Sequence, residues 1–87
     1  MPTNLTLGQD YYYISATDYA NLAAAVQAAG FQMSDFPCYE VTQSGYAGYY
    51  FALDEIDMDN GEWDVLANFG SFTTRTIYDS VQAVFYG

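Results

Sequence analysis

Between residues 18 and 30 the apolar positions of DYANLAAAVQAAG recur at helical spacing. Tyr19, Leu22, Ala23, Val26 and Ala29 share one side of such a helix and predict its buried stripe. Ser15 or Thr17 can cap its start, Asp18 lies in the first turn where the helix dipole favours an anion, and Gly30 supplies the stop. Ahead of this helix, Tyr11 to Ser15 (YYYIS) is aromatic and reads as a strand, while residues 1–9 are polar and read as a loose N-terminal segment.

Beyond a connection over 31–37 the pattern changes to alternation. Cys38 to Gln43 predicts a second strand, broken by Ser44-Gly45, and Tyr49 to Asp57 a third. Asn60-Gly61 is a hairpin signal, because a type I′ turn needs positive φ at both central residues. Glu62 to Phe69 then reads as a fourth strand, ended by Gly70-Ser71. Thr73 or Thr74 can cap a last helix running to Phe85, with Ile77, Val81 and Val84 inward and Arg75 paired to Asp79 four residues on. The order β-α-β-β-β-α predicts an α+β two-layer sandwich in one domain, 1–87, with an antiparallel sheet and two helices on one face. The place of the first strand in that sheet stays open.

A two-residue loop at Asn60-Gly61 sets a register: Asp59 opposite Glu62, Met58 opposite Trp63, Asp57 opposite Asp64. Side chains alternate between faces. One face then carries Ala52, Ile56, Met58, Trp63, Val65 and Phe69, and the other Glu55, Asp57, Asp59, Glu62 and Asp64. Like charges directly opposite destabilise a strand pair, which suggests that the acids serve a purpose other than stability. The plainer reading is a solvated edge that discourages strand-to-strand aggregation.

Charge sharpens this picture. The chain holds eleven acidic residues, one basic residue (Arg75) and no His, for a net charge of −10 over 87 residues. Six acids fall between Asp54 and Asp64. A field of one sign on so small a body repels nucleic acid and anionic membrane and attracts basic protein surfaces. A halophile's proteome would scatter the acids, and here only 14% of residues are charged and they cluster. The aromatic fraction of 20% argues for a folded domain rather than an acidic tail.

Candidate chemistries narrow accordingly. DEIDMDNGEWD is rich in oxygen ligands, but neither Glu55 nor Asp57 as first position puts Gly and Glu where an EF-hand loop needs them. No specific metal site or other cofactor is implied, and weak cation binding by the carboxylate cluster is expected. Without His, the commonest acid/base is missing. Cys38 has no flanking cation to lower its pKa, and Gly45 and Gly48 lack the Lys and Ser/Thr of a phosphate loop. An enzyme is not expected. Direct nucleic-acid binding is opposed by the shortage of Lys and Arg. Met1 to Leu5 lacks the positive and apolar regions of a secretory signal, and no apolar run approaches the roughly 20 residues that span a bilayer. A lone cysteine suits a reducing compartment, so a cytoplasmic location is expected.

The function expected from these features is that of a small acidic inhibitor, one that occupies the basic groove of a nucleic-acid-binding protein by mimicking phosphate charge. B-DNA carries one charge per roughly 1.7 Å of axis. Same-face carboxylates on paired strands, about 4.7–4.9 Å apart across strands and roughly 6.6 Å along them, would approximate such a row. The expected contact residues are Asp54, Glu55, Asp57, Asp59, Glu62 and Asp64, with Glu40 and Trp63. Reversing Asp57, Asp59, Glu62 and Asp64 to Lys is expected to abolish binding and leave the fold intact. In composition alone, small lysine-free acidic chains of this kind are similar to phage anti-restriction and anti-CRISPR inhibitors. The alternative is a Tyr-rich structural or self-associating module, such as a homodimer joined through Gly45 to Tyr50, whose acids serve solubility.

Overall fold

The structure, a computed structural model, describes residues 2–56 and 59–86. Six strands, β1 (Pro2–Asn4), β2 (Asp10–Ile14), β3 (Cys38–Val41), β4 (Gly48–Phe51), β5 (Thr73–Thr76) and β6 (Gln82–Tyr86), form one sheet in the order β1-β6-β3-β4-β2-β5. Every neighbouring pair is antiparallel. Helix α1 (Ala16–Ala28) follows β2, and α2 (Glu62–Phe69) precedes β5. The α+β class, the antiparallel sheet and the pair of helices on one face are as expected, and the first part of the chain follows the expected β-α-β-β course.

Alternation along the strands divides the core in two. Tyr11, Val41, Tyr50 and Ala83 face one side, where Leu5, Ile77 and Val81 from the connections cover them. Ile14, Cys38 and Phe51 face the other, against Leu22 and Val26 of α1 and Leu66 of α2. Both helices therefore lie on this second face. The start of α1 is capped by Ser15, whose Oγ accepts from the Asp18 amide at 3.2 Å. Of its predicted stripe, Leu22 and Val26 are fully buried, Tyr19 and Ala23 half-buried and Ala29 exposed.

Several elements differ from the sequence-based expectation. The N-terminal segment is not loose: β1 pairs with β6, and Leu5 is buried. The third strand stops at Phe51, and Leu53–Glu55 is a 3-10 turn. Residues 62–69 are helix rather than strand. Trp63, Val65, Ala67 and Phe69 alternate, but Glu62, Leu66 and Phe69 also share a helical face, and burial of Leu66 against α1's side of the core decides between the two periods. Residues 73–86 are two strands rather than a helix. Thr73, Thr74, Thr76, Val81 and Val84 are β-branched, and Ile77 and Val81 are needed as cover for the Tyr11–Tyr50 face. The open question of sheet order resolves with β2 between β4 and β5.

Candidate functional site

The acidic segment is built around the entry to α2, not on a hairpin. Asn60-Gly61 does turn the chain, with Gly61 at φ 100°, but Gly61 leads into the helix, its carbonyl accepting from the Asp64 amide at 3.1 Å. The expected pairs Asp59–Glu62, Met58–Trp63 and Asp57–Asp64 are not formed as a strand ladder, because 62–69 is helical; Asp57 and Met58 lie outside the described residues. Glu62 and Asp64 occupy the first turn of α2, where negative charge is favourable. The inference that the acids oppose the fold is corrected for these two.

The expected contact residues separate into distinct roles. Asp54 and Glu55 are exposed on the 3-10 turn, Asp59 is exposed in the turn before α2, and Asp64 is exposed on the helix. Both oxygens of Glu55 accept from the Tyr39 hydroxyl, at 2.8 and 3.1 Å. Burial, and then this bond, raise the Tyr39 pKa above the usual phenol range. Glu62 is only 4% exposed, and its Oε1 accepts from the Asn60 amide at 2.9 Å, so it holds the turn rather than facing a partner. Trp63 is 44% exposed on α2. Glu40 belongs to another cluster, on β3, where its two oxygens accept from the hydroxyls of Tyr49 (3.0 Å) and Tyr86 (2.9 Å).

Arg75 is half-buried and held among tyrosine rings. Its guanidinium lies 4.7 Å from the Tyr46 ring centroid, 5.3 Å from Tyr13 and 6.0 Å from Tyr50. Its Nη1 donates to the Tyr50 hydroxyl at 3.0 Å and Nη2 to the Gly45 carbonyl at 2.6 Å. The helical pairing expected between Arg75 and Asp79 is replaced, since β5 is a strand: Asp79 instead accepts from the Tyr46 hydroxyl at 2.6 Å. Nothing in the spacing of Arg75 could foretell a cage drawn from β2, β4 and the loop before β4.

In comparisons with known proteins, no family model, no curated protein and no solved structure matches the chain. Among the described residues no three His, Cys, Asp or Glu side chains converge so as to hold a metal ion, and no helix is long and apolar enough to cross a membrane. The tyrosines of the 45–50 segment are turned to internal use: Tyr50 is fully buried, Tyr49 stacks on Tyr19 with centroids 3.7 Å apart, and Tyr46 covers Arg75.

Helix α2 stands as a ridge between two grooves. Toward α1, a cavity of about 630 Å³ is lined by Ala25, Ala28, Val65 and Phe69, together with Asp64. Toward β5, a cavity of about 240 Å³ is bounded by Trp63, Ala67, Tyr12 and Phe72. Sequence reading missed this second groove, because Tyr12 lies far along the chain from both Trp63 and Thr74 and meets Thr74 only through the β2–β5 pairing.

Proposed function

We propose that this chain is a small acidic inhibitor that binds the basic groove of a nucleic-acid-binding protein in place of phosphate. One observation carries the reading. Asp54, Glu55, Asp59 and Asp64 are exposed on the 3-10 turn, the turn before α2 and the first turn of α2, while the chain's single cation is held among tyrosine rings. The surface field is thus negative and poorly compensated, the condition for steering toward a basic partner. The charge follows a turn and a helix end, so the fit is to a patch of phosphates rather than to a strand-spaced row. A phage anti-defence role, by likeness of composition to anti-restriction and anti-CRISPR inhibitors, is the setting we propose.

The test is affinity capture from host lysate at low salt, with the triple variant Asp54→Asn, Asp59→Asn, Asp64→Asn as control. The reading expects one nucleic-acid-binding complex, released by salt, displaced by duplex DNA and not retained by the variant. Equal retention by the variant sinks it.

A second reading is favoured by a separate observation. Val84, Phe85 and Tyr86 on β6 are 37%, 40% and 48% exposed, an apolar stretch at the end of a strand. Self-association there would give a dimer indifferent to salt, which sedimentation distinguishes from a salt-sensitive complex.

A further inference from the structure

We propose that the groove between α2 and the β2–β5 edge receives an arginine side chain of the partner; this rests on the reading above that the partner is basic. Trp63 and Tyr12 line it together, with ring centroids 6.4 Å apart and planes inclined at 42°, a tilted pair in contact that forms one bent aromatic wall. Phe72 backs Tyr12 at 5.6 Å. Tyr12 and its cross-strand partner Thr74 also line an adjoining cavity of about 480 Å³, in which Asp10 and Asp54 stand. The two cavities have Tyr12 and Thr74 in common in their linings, so an aromatic groove at α2 adjoins an acidic one at Asp10 and Asp54.

That adjacency matches one kind of side chain. A guanidinium is planar, stacks on aromatic faces and pairs with carboxylates. Its aliphatic stem can lie along an apolar wall while the charged head reaches toward polar groups. The chain already shows this chemistry in its own Arg75, whose guanidinium is held by tyrosine rings. Asp10 accepts from the Thr76 hydroxyl, which fixes one carboxylate of the acidic groove on its strand. Lysine, a compact and strongly hydrated charge, would gain less from the inclined rings.

Trp63 is the chain's one tryptophan, so its fluorescence reports the groove directly. The probe is a short glycine-flanked arginine peptide, titrated beside the same peptide carrying citrulline or lysine. We expect a saturable change in Trp63 emission with arginine, together with amide shifts at Tyr12, Asp54 and Thr74. Ala67→Leu, which fills the groove without altering charge, should abolish saturation. Asp54→Asn should weaken binding about two- to fivefold, as for loss of one exposed charged contact. Far-UV circular dichroism verifies that both variants fold. No response, a response that survives Ala67→Leu, or an equal response to citrulline overturns the proposal, and equal binding of lysine overturns the choice of arginine. If the groove fails while salt-sensitive capture persists, only the groove is lost. If the triple variant still captures the partner, the acidic-face reading is lost whatever the peptide does.

Discussion

The Arg75 guanidinium of β5 lies over the ring of Tyr46, 4.7 Å from its centroid, and the Tyr46 hydroxyl donates to Asp79 at 2.6 Å. Cation, ring and carboxylate form one chain that ties the loop before β4 to the β5–β6 connection. Arg75 thereby links two connections of the fold.

Removing that chain should cost stability and leave partner binding alone. Arg75→Ala loses ring contacts and two hydrogen bonds, an expected loss of about 2 kcal/mol. Arg75→Lys keeps the charge but not the planar contacts and should lose about 1 kcal/mol. Urea midpoints of the two variants check the order. A wild-type midpoint for Arg75→Ala would contradict it.

Gly48 at the start of β4 has φ 143°, and a Cβ there would meet the Tyr13 ring and lie 2.7 Å from the Ile14 carbonyl oxygen. Gly48→Ala should therefore destabilise by about 2–4 kcal/mol through strain and overpacking. Thermal unfolding measures this. The exposed acids are untouched by the change, so any partner affinity that remains should keep its salt dependence.

Alkaline pH should loosen the fold from the helix-covered side of the sheet. Burial, offset in part by a hydrogen bond from Tyr19, pushes the Cys38 thiol from 9.0 up to about 11. Burial, followed by the bond to Glu40, pushes Tyr49 from 10.0 up to about 12. Both folded-state values are raised, so their contribution is full below about pH 9. It falls as pH rises through 9–12, because the unfolded chain gives up these protons first. Urea unfolding at pH 8, 10 and 11 should show a falling midpoint. In Glu40→Gln, tyrosinate absorbance should appear at lower pH, since Glu40 also raises Tyr86.

Two acids of the same helical turn should respond in opposite ways. Glu62→Ala removes a buried acceptor from the Asn60 amide and should cost about 1–2 kcal/mol. Asp64→Asn, at an exposed position, should stay within about 1 kcal/mol of wild type and weaken capture of the partner instead. Reversing both to Lys would confuse a folding defect with a binding defect, so the expectation that such a variant folds normally does not apply to Glu62. Paired measurements of the urea midpoint and of capture separate the two roles.

Local signals were sufficient wherever one periodicity stood alone. Ser15, Asp18, Leu22, Val26 and Gly30 mark α1 within two residues of its ends, because cap, stripe and stop agree. The short strands β2, β3 and β4 were legible from aromatic and alternating residues, and the concentration of acids in 54–64 needed only counting. In EWDVLANF both periods fit, and Ile77, Val81 and Val84 repeat at a helical interval although they belong to β-rich chain. There the choice rested on contacts with residues far away. Leu66 is buried only if 62–69 coils against the face that α1 covers, and Ile77 and Val81 are buried only if they cover Tyr11 and Tyr50. Composition thus determined the sign of the net charge, and local patterning the α+β class. Tertiary structure decided which acids face outward, that Arg75 is caged, and that Trp63 meets Tyr12 in one groove wall. Such contacts depend on a strand pairing between residues more than sixty positions apart, which no local pattern encodes.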